Sequence, residues 1–106
     1  MRKANIFYNN KIFVGILIEE KANSYYVIQY DKLYNGPPLS LTMPIDKKRY
    51  EFTEFPPFFE GVLPEGLQLE SLLKLEKLNR NDYFSQLMVV GKDLVGAFSV
   101  KEVIDA

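Results

Sequence analysis

Carboxylates, hydroxyls and lysine amines are the side chains from which this sequence would have to build a reaction, because it contains neither His nor Cys. With no imidazole, the group best suited to proton transfer near neutral pH is missing. With no thiolate, a covalent nucleophile would have to be Ser, Thr or Lys, and no disulfide or thiolate metal site can form. None of the five serines sits in Gly-x-Ser-x-Gly, the elbow that exposes and activates a hydroxyl. The expectation is a protein that is not an enzyme by itself and that carries no cofactor or metal.

Among the acids, Glu19-Glu20 and the pair Glu60 and Glu65 lie closest in sequence. Neighbouring residues on a strand point to opposite faces, so Glu19 and Glu20 cannot easily share a proton or an ion. Both are expected at the solvated surface, where charges commonly sit. Gly91 and Gly96 have the spacing of phosphate-loop glycines, but Ala97 and Phe98 stand where Lys and Ser or Thr belong. The better reading is structural: Gly91 stops a helix, Asp93 stabilises a turn and Gly96 permits close backbone approach.

The remaining feature is a loop, Leu63-Pro64-Glu65-Gly66-Leu67-Gln68. Proline restricts the backbone and glycine reverses it, so the loop can hold a projecting side chain in one pose and lower the ordering penalty that opposes binding. Leu63, Pro64, Glu65, Gly66, Leu67 and Gln68 are therefore the candidate partner-binding residues. The alternative, that Leu67 folds back onto the core at a helix entry, stands level with it on sequence alone.

The elements that hold this loop are legible from pattern. Asn9-Asn10 separates Ile6-Phe7-Tyr8 from Lys11 to Ile18 and tolerates the positive φ of a two-residue hairpin turn. Tyr25 to Tyr30, β-branched and aromatic, reads as a third strand. Leu39, Leu41 and Met43 alternate with Ser40 and Thr42, predicting a short edge strand that ends at Pro44, and Tyr50-Glu51-Phe52 predicts another. Pro57 suits the first turn of a short helix running to Glu60 and closed by Gly61. Leu69, Leu72, Leu73 and Leu75 are expected on one helical arc, with Glu70 and Lys74 paired opposite, the helix ending near Asn79. Asp82 is placed to cap a further helix that buries Tyr83, Phe84, Leu87 and Met88 and ends at Gly91. Ala97 to Val100 then returns to the sheet. The order, strands first and helices next, predicts an α+β fold: a small, curved, barrel-like antiparallel β-sheet with two to three short helices in the second half, forming one domain over residues 1–106.

A chain of 106 residues suffices for one core. Net charge is −1 and the basic residues cluster only at Lys47-Lys48-Arg49, too few to neutralise many phosphates, so direct nucleic-acid binding is not expected. No signal peptide or membrane-spanning segment is apparent, and a cytoplasmic, membrane-free location is expected.

Taken together, Phe13-Val14-Gly15, Tyr30-Asp31-Lys32-Leu33-Tyr34, Pro38 to Pro44, Phe58-Phe59 through Pro64-Glu65-Gly66, and Gly91-x-Asp93-x-x-Gly96-Ala97 resemble, in residues and spacing, the N-terminal subdomain of HipA-type serine/threonine kinases. The likeness spans nearly the whole chain. Glu60-Gly61 departs from the Glu/Asp-Asn of many fused members, so the following loop is expected to project differently. In long members a kinase body follows this module, and here the chain reaches Ala106 with nothing resembling one. The resemblance is therefore to HipS-type small subunits of three-part toxin–antitoxin systems. It implies a non-catalytic antitoxin that binds and inhibits a HipT-like serine/threonine kinase, in a complex with a HipB-like helix-turn-helix DNA-binding protein. It also implies that the 63–68 loop and adjoining helix meet the kinase.

Two other readings compete. The chain is alternatively an activating or assembly subunit that completes a split kinase, which predicts binding with the opposite effect on activity. Less favoured is a nucleic-acid-binding β-domain using Tyr8, Tyr25 and Tyr26 as stacking platforms.

Overall fold

In the computed structural model of the chain, residues 1–91 and 97–104 are described. The elements run β1 (Arg2–Tyr8), β2 (Ile12–Lys21), β3 (Tyr25–Tyr30), β4 (Arg49–Phe52), α1 (Pro57–Glu60), α2 (Gly66–Glu76), α3 (Tyr83–Val90) and β5 (Phe98–Glu102). All strands pair antiparallel in the order β4-β3-β2-β1-β5. The sheet is open, not barrel-closed, with β4 and β5 at its two edges.

The first hairpin turns where the sequence allows it: Asn9 and Asn10 have φ of 52° and 56°, the left-handed pair that matches strand twist. Register shifts at Ile6/Phe7 and at Glu19/Lys21 mark bulges, which bend and twist the long β1 and β2 strands over the helices. Ala4, Ile6, Leu17, Ile28 and Val100 come off the sheet to meet Phe55, Phe59, Phe84 and Leu87 in one core. The ring of Tyr26 meets that of Phe55 edge-on at 5.2 Å, the geometry aromatic quadrupoles prefer.

The strand expected at Leu39 to Met43 is not formed; this stretch is a turn within the 31–48 connection. The amide of Met43 bonds the carbonyl of Ser40 at 3.0 Å, and the Ser40 hydroxyl accepts from the amide of Thr42 at 3.2 Å. Local hydroxyl bonds thus compete successfully with a ladder. The apolar alternation has another cause. Leu39 and Met43 fold inward around Tyr30, whose hydroxyl accepts from the Leu39 amide at 2.9 Å and donates to the Met43 carbonyl at 2.6 Å, while Leu41 is left 96% exposed.

The helices follow the sequence reading with four corrections. Tyr83, expected on the buried side of α3, is exposed, and Gln86 is buried beside Phe84 and Leu87 instead. The second helix ends at Glu76, with Lys77 in the left-handed region at φ 54°, two residues before Asn79. Leu75 leaves the expected arc and is 80% exposed, because it lies six positions, or roughly 120° of helix rotation, from Leu69. Glu70 pairs with Arg80 and not with Lys74. α1 begins with Pro57 and is followed by Gly61 as expected, and α3 is capped by Asp82, whose carboxylate accepts from the Ser85 amide at 3.2 Å. Gly91 ends α3 where it crosses β5, and a Cβ there would lie 2.1 Å from Val100 Cγ2. Asp93 and Gly96 lie outside the described residues.

Candidate partner-binding surface

Two devices fix the approach to the loop. Phe59 is fully buried, and Val62 and Leu63 pack against the core just after α1. The amides of Val62 and Leu63 bond the carbonyls of Phe59 and Glu60, each at 3.1 Å, so the chain leaves α1 along a defined path. Pro64 is half-buried and Glu65 exposed. Gly66 then takes φ +59° with nothing near its missing side chain, so backbone conformation, not space, demands glycine. The reversal throws Leu67 outward, 86% exposed, with Gln68 exposed beside it. Leu67 does not fold back on the core.

α2 continues the surface. None of its residues is buried, although Leu69, Leu72 and Leu73 are half-covered on its inner side. Leu67 and Leu75 are eight positions apart, roughly 80° round the helix, and both face solvent. A shallow depression beside them is lined by Leu67, Glu70, Leu73, Lys74, Leu78 and Arg80. Leu67 and Leu75 are thus the two fully outward leucines of α2. The sequence reading placed Leu75 on the inner arc and did not single out Arg80; the signal for the exposure of Leu75 was its angular distance from the other leucines. No serine was expected at Ser-x-x-Lys spacing, but Ser71 and Lys74 stand at it. Both are exposed and unconnected by a hydrogen bond among the described residues, whereas an activating lysine needs desolvation.

The second cluster of charged groups is interior. Glu19, expected at the surface, is 3% exposed. It lies directly across from Arg2 in the β1–β2 register and on the inward parity of Leu17, while Glu20 faces out. Arg2 bonds Glu19 at 2.7 and 2.9 Å, Asp82 at 2.8 Å and the Ser85 hydroxyl at 2.8 Å, with its guanidinium 4.7 Å from the Phe84 ring centroid. The hydrogen bond to Glu19 pushes the Arg2 pKa up against the opposing effect of burial, with help from Asp82. Burial alone would raise Asp82, but hydrogen bonds from Arg2 and Ser85 prevail and hold its carboxyl below the usual range. Burial, then the nearby Glu19, pushes the Tyr26 phenol up to about 12. With every polar group paired and a permanently charged partner at its centre, this cluster ties β1 and β2 to α3.

The stacking-platform reading fails on geometry. Tyr26 is 1% exposed, Tyr8 packs on Phe98 with centroids 5.3 Å apart, and Tyr25 is committed to Glu51. Glu60 and Glu65 are both exposed. Among the described residues no group of acids is arranged to hold a metal, and no helix is long and apolar enough to cross a membrane.

An open five-stranded antiparallel sheet with three helices in the second half, one presenting leucines outward, defines a small α+β module. Residues 4–101 match the HipA N-terminal domain family, and the chain belongs to it. The structure is similar to the N-terminal domain of HipA toxin, with a TM-score of 0.74 and 22% identity, over 100% of this chain and 96% of that one; this shows a common fold. An uncharacterized protein of Haemophilus influenzae is 28% identical over 90 residues, which is 85% of this chain and 83% of that protein.

Proposed function

We propose that this protein is a non-catalytic, HipS-like antitoxin subunit that binds a HipT-like serine/threonine kinase through the 63–68 loop and α2 and suppresses its activity. The observation that carries the reading is the presentation of Leu67, 86% exposed in the first turn of α2, just after a loop braced by Leu63 and reversed by Gly66. A rigid apolar projection of this kind inserts into a cleft with little further loss of chain entropy. Leu75 widens the contact along α2, and burial of the two leucines contributes about 1.5–3 kcal/mol each. Family membership supports a HipA-type kinase as the partner class, since the chain belongs to the HipA N-terminal domain family. A HipB-like helix-turn-helix protein supplies DNA binding in the same complex; a chain of net charge −1 is poorly suited to that task itself. The test is a kinase assay with and without the purified chain. Inhibition supports the proposal, and stimulation assigns the activating, split-kinase role instead.

A further inference from the structure

The docking helix is held in place by unusually little apolar packing. None of its residues is buried, and its leucines are not among the partly buried residues that pack against the core. Each end turns at a left-handed residue, Gly66 at φ 59° and Lys77 at φ 54°. At the first end Val62 and Leu63 anchor the chain to the core. The second end needs a different anchor, and a buried polar side chain stands there.

Gln86 is 1% exposed, on α3 between the buried Phe84 and Leu87. Its side-chain amide donates to the carbonyls of Arg80 at 3.0 Å and Asn79 at 3.3 Å. From that fixed backbone the Arg80 guanidinium reaches the Glu70 carboxylate on α2. We infer that Gln86 is a positioning residue for the docking surface: it clamps the 79–80 backbone, Arg80 carries the constraint to Glu70, and the pose of Leu67 and Leu75 follows. Asn79 and Arg80 are themselves exposed, so their backbone is tied to the body of the protein through this buried amide.

The inference rests on the proposed docking role of α2, and its test separates the two. Gln86→Met keeps side-chain length and removes the donor. Hydrogen exchange of the full chain is expected to quicken about tenfold in residues 66–82, where local opening becomes easier, with β1 to β3 unchanged. Dissociation from a HipT-like kinase is expected to quicken about tenfold with little change in association rate, as for most interface perturbations. Glu70→Arg alone, an exposed change that leaves the core intact, is expected to loosen the same segment, and adding Arg80→Glu to restore it. Exchange that quickens equally in sheet and α2 overturns the inference, as does unchanged exchange in α2 with unchanged dissociation. A wild-type chain that ignores the kinase overturns the docking role, while the exchange comparison still decides whether Gln86 holds α2.

Discussion

Arg2 and Glu19 face each other across β1 and β2, and the guanidinium closes on the carboxylate through two hydrogen bonds of 2.7 and 2.9 Å. Glu19 is almost wholly buried, and Arg2 is its ion-pair partner. Arg2→Met is expected to destabilise the fold by about 3 kcal/mol, the low end for breaking a buried pair, since a third of the Arg2 side chain meets water. The double variant Arg2→Met/Glu19→Leu should recover much of the loss, because it leaves no lone charge inside. Urea unfolding of the parent and the two variants measures this.

Asp82 gives the fold an acid limit. Its folded-state pKa is depressed, so its contribution is present above the unfolded carboxylate value of about 4 and is lost as pH falls through the folded value. Stability measured from pH 5 down to 2 is expected to decline, and Asp82→Asn to flatten the decline. An identical acid limb in the variant would show that the ion pair with Arg2 carries no pH dependence.

Gly91 and Val100 set the distance between α3 and β5. Gly91 has an ordinary helical φ of −67°, so Gly91→Ala acts through the 2.1 Å approach to Val100 Cγ2 and not through the backbone. Valine is stiff at χ1 and cannot swing away. The change is expected to cost about 1–3 kcal/mol as overpacking. In the background Val100→Ala it should cost clearly less, a coupling read directly from a double-mutant cycle.

Leu67→Asp and Leu75→Asp separate folding from docking. Both side chains are at least 80% exposed, so each variant should melt within about 0.5 kcal/mol of the parent. Each is expected to weaken kinase binding at least tenfold, measured by titration calorimetry. Strong binding by Leu67→Asp would remove the loop from the interface.

Local rules made the strands, turns and caps legible: Asn9-Asn10, Pro57 and Asp82 each carry their conformational preference in the residue itself. The expected strand at Leu39 to Met43 failed because period-two alternation over five residues also fits a turn, and only Tyr30, distant in sequence, decides which forms. Glu19 was misplaced for the converse reason. Strand parity showed correctly that Glu19 and Glu20 part company, but the partner that permits burial is 17 residues away on β1. The 63–68 loop was found from Pro64 and Gly66, whereas the outward pose of Leu67, the exposure of Leu75 and the Gln86 clamp depend on how α2 and α3 meet, which no local pattern encodes.

The most direct test of the account is the activity of a HipT-like kinase titrated with this chain. The account predicts that phosphorylation falls to background as the chain reaches stoichiometry, and that Leu67→Asp at the same concentration leaves most activity in place. Kinase activity that stays unchanged or rises with added wild-type chain contradicts it.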